Sequence, residues 1–259
     1  MMRRLFALAL LLPTSANAGA WALGAGHWQS FSSATTSQAT QSFDSAGRPT
    51  IPTAYHKMLF QNLFEVGVTN YLTLFATPAY VIADVTTPTV RYIRANNTSI
   101  EAGARIALLA FHGHLSIQGS YKAAGSFDFQ VSAHRDSGKQ EELRLLYGTG
   151  FKLFDRDGFF DLQIAQRWID HPRPNETPID LTGGLWINSK TMVMAQSFNI
   201  ISAGDALPPY TFYRTHKLAL SVVQKLSRHW SLQVGAFYSP AGQNALVERG
   251  VSVSLWTQD

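Results

Sequence analysis

The sequence contains no cysteine and only 15% charged residues, and beyond its first dozen positions it has no apolar run long enough to cross a bilayer as a helix. Each absence excludes something. Without cysteine there are no disulfides, thiolate metal sites or cysteine nucleophiles, so catalysis would rest on serine, histidine or carboxylates. A charged fraction well below the roughly 25% of soluble domains, combined with 12% aromatics, argues against a disordered or nucleic-acid-binding chain. Yet mean hydropathy is −0.04, so polar and apolar residues must be interleaved.

Residues 1–18, MMRRLFALALLLPTSANA, carry Arg3 and Arg4, an apolar stretch from Leu5 to Leu12, Pro13, and the small-residue site Ala16-Asn17-Ala18. This is the pattern of a secretory signal peptide, with cleavage expected after Ala18 and Ala20 as the second candidate. Eight apolar residues ended by a proline are too few for a membrane anchor. The organisation of this leader looks bacterial. The mature domain, 19–259, retains 19 Lys+Arg against 17 Asp+Glu, a net +2 that provides no basic surface for nucleic acid.

Alternation with period two recurs through the mature chain, as expected where one strand face meets an apolar medium and the other a polar one. Leu143, Leu145, Tyr147, Phe151 and Leu153 share one face, opposite Glu142, Arg144, Gly148, Gly150 and Lys152; Leu146 is the exception. Similar alternation runs through Ile100–Leu108, Phe160–Trp168 and Trp230–Tyr238. The pattern predicts twelve strands, at about 23–34, 54–68, 71–83, 98–110, 114–124, 138–153, 159–170, 179–188, 191–203, 211–226, 229–239 and 246–256.

The connections alternate too. Short ones, such as Thr69-Asn70, Phe154 to Gly158 and Ser189-Lys190, follow even-numbered strands; longer ones, such as Thr35 to Thr53, Gly125 to Ser137 and Gly204 to Tyr210, follow odd-numbered strands. That sorting predicts an all-β, up-and-down antiparallel transmembrane barrel with short turns and both termini on the periplasmic side. Outer-membrane lipid and the barrel assembly machinery are the implied partners.

The cost of charge in lipid orients the faces. Arg105, Arg144 or Arg167 on the lipid side at mid-membrane would cost about 2–4 kcal/mol each, whereas a wet lumen accepts them beside Glu101, Glu142 and Asp161. The same parity turns Glu65, Lys152, Asp180, Lys217, Lys225 and Glu248 inward. Such charges either select a solute or pair with one another to stiffen the barrel. Tyr71, Phe151, Phe154, Phe159, Phe160 and Trp230 near the turns, and Tyr80, Tyr121, Trp168, Phe198, Tyr213 and Tyr238 near the loops, are expected to form two interfacial girdles. Twelve strands imply a narrow pore. The first long loop, Thr35 to Thr53, is long enough either to fold inward as a constriction or to remain an outer loop.

The opening GAWALGAGHWQSFSS, then FDSAGRP at Phe43 to Pro49, Tyr55-His56-Lys57, and LFEVGVTNYLTL at Leu63 to Leu74 resemble the outer-membrane barrel family named for meta-pathway phenol degradation. The resemblance spans about the first third of the mature chain. It implies a barrel assisting uptake of small apolar or aromatic compounds, and it carries over no functional residue. One departure is the end of the chain, Leu255-Trp256-Thr257-Gln258-Asp259: outer-membrane barrels commonly finish on an aromatic residue, a role for which Trp256 is the candidate.

Enzymatic signatures are lacking: there is no G-x-S-x-G elbow, P-loop or H-E-x-x-H. A barrel lipid hydrolase would need serine and histidine adjacent on the lipid face, where His216 is the one tempting base. His112-Gly113-His114 supplies two histidines where a metal site wants three ligands, so no cofactor or metal is expected. The reading is a non-enzymatic outer-membrane channel or passive transporter for a small solute; a structural or adhesive barrel is the alternative.

Overall fold

The computed structural model describes residues 19–88, 93–110, 113–123, 139–208 and 210–259, with backbone alone at 93–95 and 109–110. The leader 1–18, the third long loop Gly125 to Ser137, Phe111 and His112 lie outside the described residues.

Twelve antiparallel strands form a closed barrel, each paired with its sequence neighbours and the first with the last. They are β1 (Trp28–Ser42), β2 (Ile51–Gly67), β3 (Leu72–Thr86), β4 (Ile93–Ala110), β5 (His114–Ala123), β6 (Gln140–Leu153), β7 (Arg156–Ile169), β8 (Glu176–Trp186), β9 (Thr191–Ser202), β10 (Arg214–Lys225), β11 (Trp230–Gln243) and β12 (Arg249–Gln258). β1 closes on β12 in continuous register from Gln29↔Gln258 to Gln38↔Arg249, which leaves no open sheet edge to present unpaired backbone to lipid.

Parity decides the faces. On β6, Leu143 and Leu145 point outward and are about half exposed, while Glu142 points inward and is buried. Leu146, the exception to the alternation, occupies the inner face and is 1% exposed. The short turns stand at the end where β1 begins and β12 finishes. The tightest joins β6 to β7 through Phe154 and Asp155, both at positive φ (49° and 57°), a two-residue turn whose twist matches the strands it joins.

At the other end, β1 and β2 continue the hairpin well beyond their expected limits, so the first loop is only residues 43–50. The FDSAGRP segment builds it: Phe43 is buried, Gly47 takes φ +78°, and the Asp44 carboxylate accepts hydrogen bonds from the Ala46 and Arg48 backbone N–H groups, Arg48 Nε and Thr50 Oγ1. Those bonds, led by the Arg48 backbone N–H, hold the Asp44 pKa down to about 2. The loop packs on the connection between β11 and β12, where the Phe43 N–H donates to the Ala245 carbonyl and the Asn244 N–H to that of Asp44.

Outward and exposed aromatics include Tyr71, Phe151, Phe154, Phe160 and Trp230 at the turn end and Tyr80, Tyr121, Trp168 and Tyr238 at the loop end. Three of the expected girdle residues instead face inward. Phe159 meets Trp21 inside the barrel, Phe198 lies between the inward Asp180 and Lys217, and the Tyr213 hydroxyl donates to Glu176.

The wall breaks at two prolines. At Pro178 the β7–β8 ladder passes from Ile164↔Ile179 to Arg167↔Glu176 without rungs. Between Gln61↔Ala79 and Phe64↔Ala76 the β2–β3 ladder has no rungs, because Pro78 lacks an N–H to donate. Beside it Asn62 Nδ2 donates to Ser30 Oγ and Ser32 Oγ, at 2.7 Å each, at an outer groove whose lining includes Phe60, Pro78 and Tyr80.

Candidate functional site

The lumen holds a piece of the chain itself. Residues 19–27 precede β1 and turn into the barrel, so the first strand begins at Trp28 and not near residue 23 as its sequence suggests. Glycine permits the turn: Gly19 and Gly26 adopt φ of +131° and +82°, values that L side chains rarely reach.

The segment is tied down rung by rung. Ala20 N–H donates to Asp161 Oδ2 (3.0 Å) and its carbonyl accepts from Ser116 Oγ; the Trp21 carbonyl accepts from Arg105 Nη1 (3.0 Å). Leu23 N–H donates to Thr73 Oγ1 (2.9 Å), and Gly26 and His27 exchange backbone bonds with Gly67. Two strand glycines make room. A Cβ on Gly67 would stand 2.1 Å from the Gly24 carbonyl oxygen, and one on Gly148 would stand 2.7 Å from the Trp21 ring, which packs against His114 and edge-on to Phe159.

Around this segment the inner wall is ionic. Glu65 is wholly buried, pairs with Arg105 and accepts from Gln29 Nε2; Arg105 also donates to Gln118 Oε1. Across β6–β8 the charges interlock. Glu142 accepts from Arg144 and Arg167, each at 2.7 Å; Arg144 reaches Asp180 (2.8 Å) and Gln163, and Arg167 reaches Glu176 (2.5 Å). Gln163 Nε2 in turn donates to Asp161 Oδ1 (2.6 Å), linking this network to the N-terminal segment. Glu101 accepts from Ser120 Oγ (2.7 Å). Nearer the loops, Glu248 pairs with Lys57 (2.9 Å) and Lys217 and accepts from Ser37 Oγ. Apolar patches interrupt the charge: Ala39, Tyr55, Ala83 and Val85 pack together, as do Met192, Met194 and Val223 against Phe159, Trp186 and Trp256.

Of the residues expected to line the lumen, Glu65, Glu101, Arg105, Glu142, Arg144, Asp161, Arg167, Asp180, Lys217 and Glu248 carry inward-facing polar contacts. Lys152 does not line it. It keeps the inward parity of β6, but it stands beside the turn with a side chain 77% exposed and 3.8 Å from Asp157, so it projects past the rim. Lys57, Glu176 and the segment 19–27 belong to the site and were missed. Lys57 shares the parity of Glu65, and Glu176 lies just before the stretch read as strand, so both were within reach of that rule. The segment 19–27 breaks the alternation with Ala20-Trp21-Ala22-Leu23 and three glycines, the one local sign that it leaves the wall.

Three further expectations meet the structure here. His216 Nδ1 bonds to Asn199 Oδ1 (2.9 Å), and Asn199 Nδ2 donates to Ser197 Oγ (3.0 Å). The amide thus separates the hydroxyl from the imidazole, and among the described residues no hydroxyl is hydrogen-bonded to His216. His114 packs against Trp21 with its ring tilted, and no group of three metal-ligating residues occurs among the described residues. Trp256 faces inward, donating to Gln233 Oε1 and meeting Phe31 edge-on, so it does not serve as an interfacial aromatic.

Comparison with solved structures fits this geometry. An outer-membrane channel from Pseudomonas putida F1 superposes with a TM-score of 0.67 at 12% identity, over 93% of this chain and 98% of that one. In fold, this chain is an outer-membrane β-barrel. The translocator domain of the autotransporter NalP from Neisseria meningitidis (TM-score 0.57, 11% identity, 91% of this chain and 89% of that one) is also similar. So is the NanC porin (0.52, 9% identity, 88% and 98%). No family model and no curated protein sequence matches the chain.

Proposed function

We propose that the protein sits in the bacterial outer membrane, inserted by the barrel assembly machinery, as a narrow channel or passive transporter whose constriction is its own N-terminal segment. The observation that carries this reading is the way residues 19–27 occupy the lumen. They are held by individual hydrogen bonds to wall side chains and by glycine-made clearances, not by a continuous apolar core. A barrel serving only as a scaffold has no need of a separable interior piece. The apolar patches beside the ionic wall, together with the resemblance of the opening third to the meta-pathway phenol degradation family, favour small aromatic or apolar solutes. The carbonyl and carboxylate groups would fix where such a solute rests rather than react with it.

The test is conductance and flux. Wild-type protein in planar bilayers is expected to show small discrete events. Gly148→Val, which drives a side chain into the space of Trp21, is expected to raise the open fraction several-fold. Liposomes carrying the protein should take up phenol-sized aromatics faster than sugars of equal mass. Silence in both wild type and variant would favour a structural or adhesive barrel.

A further inference from the structure

Asp161 is 2% exposed, and its carboxylate has no cation paired with it among the described residues. The other buried acids of this wall all have one: Glu65 has Arg105, Glu142 has Arg144 and Arg167, and Glu176 has Arg167. Arg105 and Arg144, the guanidinium groups of the adjoining networks, act on Asp161 only from beyond contact distance and make their ion pairs with other acids. What Asp161 does hold is the Gln163 amide and the backbone N–H of Ala20. A buried carboxylate with no cation in contact costs several kcal/mol in general, so Asp161 either carries a proton or is matched by a cation not yet counted, and its surroundings offer a place for the second.

Gly19 is where that cation would arise. An ideal Cβ on Gly19 would lie 2.4 Å from Asp161 Oδ2, and the Gly19 nitrogen is two bonds from that point, about 2.5 Å away. The nitrogen therefore stands within about 5 Å of the carboxylate oxygen. In the uncut chain this nitrogen is a neutral amide. Hydrolysis of the Ala18–Gly19 bond adds water across it, leaving a carboxylate on Ala18 and an ammonium on Gly19.

We propose that Asp161 is the receptor for the mature N-terminal ammonium: leader removal after Ala18 creates the charge that pairs with Asp161 and latches the N-terminal segment inside the barrel. Two features fit this cut rather than one after Ala20. Ala20 is fully buried, with both its N–H and its carbonyl bonded to the wall, and a cut after it would discard those contacts. Gly19 also sits at φ +131°, which strains any side chain, and a Cβ there would press on the Asp161 carboxylate. The proposal stands without the channel reading, because it is read from chain chemistry and not from conduction.

The test uses the full-length protein, expressed with its leader and recovered folded from outer membranes. Its intact mass is expected to correspond to a chain starting at Gly19; a start at Trp21, or a retained leader, overturns the proposal. The folded protein is then treated near pH 7 with an amine-acylating reagent. There α-amino groups, which titrate near ~8, react ahead of lysines, which titrate near ~10.4. Gly19 is expected to acylate about tenfold more slowly than in urea-unfolded protein, as pairing worth one pKa unit would give. Asp161→Asn keeps an acceptor for the Ala20 N–H but removes the charge, and it should abolish most of that protection. Equal rates in wild type and variant overturn the pairing. Should Asp161→Asn fail to yield a heat-modifiable barrel, one alanine inserted between Ala18 and Gly19 displaces the ammonium and leaves Asp161 intact. Lost protection then supports the latch, and retained protection overturns it.

Discussion

Replacing Arg105 by methionine asks whether the half of the lumen nearest the short turns is sealed. Glu65 is wholly buried and Arg105 is 4% exposed, so the substitution strands a carboxylate that only the Gln29 amide still contacts, and it also frees the Trp21 carbonyl. In a dry site, removing one member of a buried ion pair costs about 3–5 kcal/mol. If water entered freely, the lost attraction would be worth only about 1 kcal/mol. The two cases differ enough for urea unfolding of the barrel in lipid vesicles, followed by tryptophan fluorescence, to separate them. The expected loss for Arg105→Met is about 3 kcal/mol or more, with Glu65→Leu/Arg105→Met recovering most of it because no charge is left unpaired. A single variant within about 1 kcal/mol of wild type would refute the reasoning, since it would mean the N-terminal segment does not exclude water. A double variant worse than the single would show that the cost comes from lost packing.

Two other perturbations probe separate parts of the argument. Leu145→Arg moves a cation one position along β6 from Arg144, onto the face that contacts lipid, and should lower the free energy of folding into vesicles by about 2–4 kcal/mol. A loss below about 1 kcal/mol would contradict the assignment of faces. In the first loop, the Asp44 carboxyl is held at about 2, below the roughly 3.9 of an unfolded chain. Its contribution is therefore complete above about pH 4 and is lost as pH falls through about 2. Amide protection over residues 44–50, corrected for the intrinsic pH dependence of exchange, should fall across that window, and in Asp44→Asn it should already be low at pH 5. Unchanged protection in that variant would show that the loop holds its shape without the carboxylate.

Much of the architecture could be read from local pattern. The period-two alternation of β6, β7 and β11 reflects a solvent discontinuity across a sheet one residue thick, and no tertiary information is needed to see it. The sorting of loop lengths and the penalty for arginine in lipid then fixed closure, orientation and the inward placement of Glu142, Arg144 and Arg167. Tertiary structure alone decided which charges meet. Arg105 of β4 finds Glu65 of β2 and the carbonyl of Trp21 through register and curvature, and no sequence spacing encodes those distances. It likewise decided that Lys152, on the correct parity, stands beyond the rim, because parity gives the face of a strand and not its height. The fate of residues 19–27 was the least legible. Their unbroken apolar run and three glycines show only that they leave the alternation; the enclosed wall, with Gly67 and Gly148 cleared to receive them and Asp161 and Arg105 placed to bind their backbone, decides where they go.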